Sequence, residues 1–421
     1  MNMNSLSHVP EDSAFTIDNI PFGVFSTRED PTPRCATAIG DVALDLRALA
    51  GAGFFADASV TDTLSQTSLN AFAALEAKTR TAAREQIISA VKDGKVPETC
   101  LHMLADVTMH LPVVIPEYTD FFCSLEHCKN CAPMMKDGIP QNFFHAPSAY
   151  NGRASSVLPS PSLIRRPRGV FWKTEHEGTR VPTYGAEEHL DFELEVGYIV
   201  SKPVPYGETI KVDDAPDHIF GLVLLNDWSS RDLQVFEMPP LGPFNSKSFG
   251  TTISPWVVTL DALKAFQTAP KHETDPLEHL RYKDFARGTF DVKLAVHLER
   301  GGKRHGLATS NLKYLYWTPY QQITHHASAN CGLRTGDLMG TGTVSGDGVD
   351  AQGNKCELGC LFEATLHGSR PVALEGGGEL RYLEEGDSVV LSAWCEDASG
   401  RKVLGFGECR GMIVGPDAPI R

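Results

Sequence analysis

Glu193 and Glu195 stand either side of one leucine in Asp191-Phe192-Glu193-Leu194-Glu195-Val196. In a strand, residues two apart point to one face, so this spacing sets two carboxylates side by side, their Cα atoms about 6–7 Å apart. Phe192, Leu194, Val196 and Tyr198 then share the other face. Carboxylates held this close repel unless a cation lies between them. Asp227 closes a second apolar run, 220–226, and brings a further acidic oxygen donor. An all-carboxylate donor set selects a hard divalent ion, Mg2+ or Ca2+, over Zn2+.

Three other segments carry residue types that could act beside such an ion. In Tyr118-Thr119-Asp120-Phe121-Phe122, Asp120 is a candidate fourth carboxylate ligand, and His127, seven residues on, a candidate general base. Alone, an Asp and a His so spaced are more often a turn residue and a surface imidazole. A helix over 229–237, with Ser229 as N-cap and Asp232 near a capping-box position, puts Arg231 and Gln234 on one face just after Asp227. That face would aim a fixed cation and an amide at the ion, although an Arg–Gln pair more commonly faces solvent. In Gly242-Pro243-Phe244-Asn245-Ser246-Lys247-Ser248-Phe249-Gly250-Thr251-Thr252, Lys247 lies in a Gly/Ser-rich loop that could hold it near an anion or leave it exposed. The loop lacks the frame of a phosphate-binding P-loop.

Several patterns are decoys. Cys123, Cys128 and Cys131 have the C-x4-C-x2-C spacing of iron–sulfur ligands, but the next cysteine is Cys331. Cys356 and Cys360 alone do not make a zinc site. Gly340-Thr341-Gly342-Thr343-Val344-Ser345-Gly346 has the wrong glycine spacing and strand-rich surroundings for a dinucleotide loop. It reads instead as a turn presenting backbone amides and the Thr343 hydroxyl. His325 and His326 read as structural.

These residues need a scaffold, and 421 residues is long for a single core. The sequence divides into a module over 1–115 and a larger catalytic domain over 116–421. In the first, short strands at 22–25, 35–39 and 42–46, the last two forming a hairpin at Gly40-Asp41, precede one helix over 69–91 closed by Gly94. In the second, strands are expected at 171–172, 192–200, 220–226, 255–260, 291–298, 362–366, 388–393 and 411–414, with helices at 229–237 and 311–329. The fold class is therefore mainly β (α+β), the second domain being a β-rich sandwich or roll. The net charge of −15 argues against nucleic acid or an anionic membrane as partner. No apolar run approaches the length of a membrane helix, and the first fifteen residues lack the layout of a secretory signal. Ten cysteines are too sparse for a disulfide framework, so reduced thiols and a cytoplasmic location are expected.

Taken together, the segments resemble the fumarylacetoacetase (fumarylacetoacetate hydrolase) family. The likeness covers nearly the whole chain, from 21–27 through Tyr118-Thr119-Asp120-Phe121, Asp191-Phe192-Glu193-Leu194-Glu195, Asn226-Asp227-Trp228-Ser229 and 247–257 to Gly342-Thr343-Val344-Ser345-Gly346 and Gly405-Phe406-Gly407. The resemblance implies a small SH3-like N-terminal domain, a mixed β-sandwich roll and a homodimer. It implies a metal at Asp120, Glu193, Glu195 and Asp227, with Lys247 and Thr251 beside it. It further implies His127 as general base with Glu363 as its carboxylate partner. Arg231, Gln234 and Lys247 are implied as stabilisers of negative charge, and Tyr150 and Thr343 as pocket residues. The implied reaction is hydrolysis of a C–C bond in a 1,3-diketo acid, the last step of tyrosine and phenylalanine catabolism.

Three pocket positions depart from the family pattern: Phe122 and Met238 stand where the family usually has tyrosine, and Lys136 where it has arginine. Two hydroxyls are lost, and a forked guanidinium becomes a point charge. Met238 makes a softer wall. This leaves open an ordinary fumarylacetoacetase or a diverged paralogue acting on another β-dicarbonyl. It also leaves open other metal-enolate chemistry, as a decarboxylase, tautomerase, lyase or cyclase.

Overall fold

The computed structural model describes residues 9–10, 13–132, 138–175, 178–271, 275–375 and 377–419. Lys136 lies outside the described residues.

The first module is built on a five-stranded antiparallel sheet in the order Leu101–Met103, Val42–Asp45, Arg34–Ile39, Phe22–Thr27, Val107–Met109. The expected hairpin is present, with Ile39 opposite Val42 and Gly40 in the tight turn at φ +58°, a conformation that favours glycine. The single helix expected over 69–91 is instead two, Asn70–Ala73 and Ala77–Lys92. Glu76 is extended (φ −53°, ψ 140°), and the Arg80 guanidinium turns back onto the carbonyls of Ala73 and Leu75, satisfying groups the break exposes. The apolar spacing continues across the break because Phe72 and Ile87 enter the same core. Two further helices, Leu46–Gly51 and Ala58–Leu64, each start at an aspartate N-cap, Asp45 and Asp57.

The rest of the chain is organised by two sheets. The larger has eight strands: Ser148–Asn151, Tyr118–Phe122, Leu338–Gly340, Leu194–Val200, Ile219–Asp227, Thr251–Ile253 and Val157–Pro159 in order, with Val258–Thr259 also pairing to Ile219–Asp227. The second runs Lys303–Asn311, Lys293–Arg300, Ser388–Glu396, Lys402–Val414, Ser162–Arg165. Tyr198, Leu222 and Leu224 share one core with Leu294, Val296 and Leu391, so the two sheets form a sandwich. Ile199, Val223 and Leu225 point the other way and pack with Phe22 and Phe72 of the first module. The large sheet is covered on both faces, which is why 219–225 reads as one unbroken apolar run.

Several expectations are corrected. The strand expected over 192–200 is interrupted, giving Leu190–Asp191 and Leu194–Val200. Between them the Glu193 amide donates to Asn226 Oδ1 (3.1 Å) and Glu193 bridges to Cys360, taking it off the main ladder. Residues 362–366 do not form a strand; Leu361–Ala364 is a short helix whose first amides, Leu361 and Phe362, donate to Asp191 (2.8 and 2.9 Å). Only Val258–Thr259 of 255–260 is in a strand. The helix expected over 311–329 begins at Pro319, with Thr318 and Gln321 forming a capping box, and is preceded by the 3-10 turn Leu312–Tyr314. The helix after Asp227 is Arg231–Glu237 with Ser230 at the cap, because Ser229–Ser230 pairs with Leu190–Asp191.

Candidate active site

Three strands of the large sheet deliver the acidic cluster, two of them adjacent and the third set off by Leu338–Gly340. Asp120 comes from Tyr118–Phe122, Glu195 from Leu194–Val200 and Asp227 from the end of Ile219–Asp227. One carboxylate oxygen of each lies within 4.8 Å of the others, and all three residues are buried. Gly340 keeps the space between them open, since a Cβ there would lie 2.5 Å from Asp120 Oδ1 and 3.0 Å from Glu195 Oε2. Asp120 Oδ1, Glu195 Oε1 and Asp227 Oδ1 are buried without any hydrogen-bond partner. Burial, then the Asp227 charge, pushes Asp120 well above the usual carboxylate range; burial, then Asp120 and Asp227, does the same to Glu195. Protein donors thus leave these oxygens unmatched, a donor set that fits a hard divalent cation.

A second charge group adjoins it. Lys247 Nζ lies 2.5 Å from Asp227 Oδ2 and 2.6 Å from Glu193 Oε2. Burial opposes its charge, but Asp227 and Glu193 outweigh burial and raise its pKa, so it is an ammonium. The loop expected around Lys247 is in fact one helical turn, Asn245–Ser248. Glu237 fixes that turn by accepting from the amides of Phe244, Asn245 and Ser246. Arg231 Nη1 reaches Glu193 Oε1 (2.8 Å) and Gln234 Oε1 (3.0 Å), so the expected shared face exists. Asp191, fully buried, holds the same guanidinium through Nε (2.9 Å) and Nη2 (2.8 Å). Tyr150 donates its hydroxyl to Asp227 Oδ2 (2.8 Å), and Thr251 faces Asp227 in register.

The third group is His127 and Glu363. Ser124 caps the helix Leu125–Cys131 and places His127 in its first turn. Its Nδ1 is 2.9 Å from Glu363 Oε2. Glu363 is itself held by Asn130 Nδ2 (2.7 Å) and Ser345 Oγ (2.9 Å). Burial works against charge on His127, yet Cys131 and Glu363 beside it lift its pKa well above the usual imidazole value. The Phe122 ring meets the imidazole edge-on, centroids 5.3 Å apart. The Gly342–Ser345 turn links the groups, with the Gly342 amide donating to Glu195 Oε2 (3.1 Å), Ser345 holding Glu363 and buried Thr343 between them. Met238, at the end of the Arg231–Glu237 helix, is 43% exposed.

The structure therefore brings Asp120, Glu195 and Asp227 into one cluster and joins Glu193 to it through Lys247. Sequence reasoning gave no role to Asp191, Glu237, Asn130 or Ser345. Asp191 opens the same acidic motif and Ser345 sits in the glycine-rich run, so both were within sight; the partners of Asn130 and Glu237 arise only on folding.

The buried carboxylate cluster and the His127–Glu363 pair fit a metal-dependent hydrolase, and comparison with known proteins identifies the class as one acting on carbon–carbon bonds. Residues 117–414 match the family described as fumarylacetoacetate (FAA) hydrolase C-terminal, and residues 18–112 match fumarylacetoacetase N-terminal. A fumarylacetoacetase of Arabidopsis thaliana is 43% identical over 99% of this chain and 99% of its own. One of Homo sapiens is 40% identical over 96% of this chain and 97% of its own. The chain belongs to the fumarylacetoacetate hydrolase family. The fold is shared with the maleylpyruvate hydrolase from Sphingobium sp. SYK-6, solved in complex with manganese (II) ion and pyruvate, at a TM-score of 0.51 and 16% identity over 94% of this chain and 99% of that one. Among the described residues no helix is long and apolar enough to cross a membrane.

Proposed function

We propose that this chain hydrolyses fumarylacetoacetate, or a closely related 1,3-diketo acid, to fumarate and acetoacetate or their counterparts. The observation that carries the reading is the buried His127–Glu363 pair beside three carboxylates whose inward oxygens lack partners. The two are close enough for the charge on His127 to act on Glu193.

Asp120, Glu195 and Asp227 would hold the divalent ion, with Glu193 as fourth donor and Lys247 and Thr251 alongside. Mg2+ and Ca2+ would suit this oxygen donor set, and the Sphingobium hydrolase was solved with another divalent ion, manganese (II). When bound, the ion supplies Lewis-acid polarisation of the diketone oxygens.

His127 does the proton chemistry. With Nδ1–H donated to Glu363, Nε2, which has the Cys131 thiol 3.8 Å away, can take a proton from water, and ionised Glu363 stabilises the imidazolium that results. The raised pKa makes the neutral imidazole a stronger base. Attack of the resulting hydroxide on one carbonyl forms an oxyanion, and cleavage of the adjacent C–C bond leaves an enolate. Arg231 and Lys247 supply fixed positive charge near both, while Gln234 holds Arg231 in place. Tyr150, Thr343, Phe122 and Met238 line the proposed substrate pocket, the last two giving it apolar wall.

The proposed division of labour is 1–115 as a supporting domain and 116–421 as the catalytic domain, in a cytoplasmic homodimer. Incubation with fumarylacetoacetate tests the function: fumarate and acetoacetate in equal amounts support it. CO2 or an isomer as product indicates different enolate chemistry, and no turnover indicates another substrate.

A further inference from the structure

A second cluster of metal-binding residue types lies around the imidazole itself. His127, Glu363 and Cys360 each offer a ligand atom within 4.8 Å of the others, and all three are buried. Nδ1 of His127 is 2.9 Å from Glu363 Oε2, and Cys360 Sγ is 3.3 Å from the same oxygen. Cys131, half-buried on the next turn of the His127 helix, brings its Sγ to 3.9 Å from Nδ1 and 3.8 Å from Nε2. In a tetrahedral zinc site, ligand atoms lie about 3.3–3.8 Å apart, given the usual Zn–N, Zn–O and Zn–S bond lengths. His127, Glu363 and Cys360 need little movement to meet that geometry, whereas Cys131, outside that close group, must swing its side chain in to complete it. Glu363 is already oriented through its other contacts, to Asn130 and Ser345, as a zinc-ligating carboxylate commonly is.

We propose that His127, Glu363, Cys360 and Cys131 form a site for a soft, thiophilic divalent ion of the zinc class, separate from the hard-ion carboxylate site. Two thiols distinguish it from Asp120, Glu195 and Asp227, which offer oxygen alone. Binding releases one proton from each coordinating thiol, and Nδ1 gives its lone pair to the ion as its own proton moves to Nε2 or to solvent. The imidazole can then no longer act as a base, so occupancy switches hydrolysis off. The site itself does not depend on the role of His127; only the inhibition rests on the function proposed above.

Two readouts keep these apart. Cobalt(II), added to the full chain saturated with Mg2+, reports thiolate ligation by an intense near-ultraviolet charge-transfer band, whatever the enzyme's activity. The band is expected in the native protein, to be displaced by one equivalent of zinc, weakened in Cys131→Ser and lost when Cys360→Ser is added. Thermal melting of each variant confirms folding; if the double variant unfolds, the weakened band in Cys131→Ser alone carries the test. Absence of the band, or a band unchanged in Cys131→Ser, overturns the four-residue site. Zinc is also expected to cut turnover at least tenfold at one equivalent, with the inhibition weakened tenfold in Cys131→Ser. Equal inhibition in native and variant proteins places zinc at the carboxylate site and overturns the switch. A thiolate band without inhibition keeps the site but refutes His127 as the base.

Discussion

Asp191 and Glu195 lie four residues apart in one acidic motif, both fully buried and both pushed up by that burial, yet their partners differ. Asp191 accepts from the Arg231 guanidinium and from the amides of Phe192, Leu361 and Phe362. Glu195 accepts only the Gly342 amide among the hydrogen bonds of the described residues, and its Oε1 has no partner, while Asp120 and Asp227 press their charges against it. Asp191 is paired directly with a guanidinium; Glu195 has no cationic side chain in contact among the described residues, and the Lys247 ammonium is held by Asp227 and Glu193. A buried charge is tolerable only when compensated, so the contrast separates a structural aspartate from an ion-binding glutamate without reference to any relative.

The largest effect should come from the base, His127. His127→Ala is expected to lower kcat about 10²–10⁴-fold while leaving Mg2+ affinity unchanged, as read by steady-state kinetics and calorimetric titration. Loss of ion binding in the same variant would mean that imidazole and carboxylates are one unit.

Next come the two carboxylates themselves, compared with the divalent ion removed. Asp191→Asn leaves the Arg231 guanidinium partly uncompensated in the interior, and a broken buried pair costs about 3–5 kcal/mol. Glu195→Gln removes a carboxylate that burial, Asp120 and Asp227 disfavour more than Lys247 supports, and should instead leave the ion-free protein as stable as the native chain or more so. Denaturant melts read both, and a matching loss in Glu195→Gln would erase the distinction drawn here.

Adding the ion should reverse the ranking. At a hundredfold excess over Kd, a ligand that binds only the folded state stabilises by about 2.7 kcal/mol. The native protein and Asp191→Asn should both gain this with Mg2+ or Ca2+, and Glu195→Gln should not.

The smallest effect is on pH. His127 acts as base only when neutral, and its pKa lies well above the ordinary 6.5, so the acid limb of kcat/KM should fall above that value. Glu363 favours the imidazolium, so Glu363→Gln should move the limb to lower pH even as the rate drops. A limb at or below 6.5 in the native enzyme would show that the ion-loaded site outweighs Glu363.

The contrast between the two carboxylates also shows what the sequence could and could not carry. Glu195 and Asp227 were legible because one sits on and the other ends an apolar strand; Asp120 was only a candidate beside them, in a segment given no strand and more often a turn residue, until the family resemblance placed it. Glu193 was legible as an acid but not in place, since Asn226 and Cys360 pull it off the ladder from more than thirty residues away. Lys247 was found, yet as a loop residue, because the turn that carries it is held by Glu237 across a gap no local pattern records. Likewise 362–366 reads as strand until Asp191 caps the amides of Leu361 and Phe362 and Leu361–Ala364 becomes a helix. Elements fixed by short-range period were readable, and those fixed by one distant side chain were not.

The most direct test is anomalous scattering from a crystal of this protein soaked in Mn2+. The account predicts one strong anomalous peak bounded by the carboxylates of Asp120, Glu195 and Asp227, with Glu193 and Lys247 at its edge. A peak at Asp191, or none within the large sheet, would contradict it.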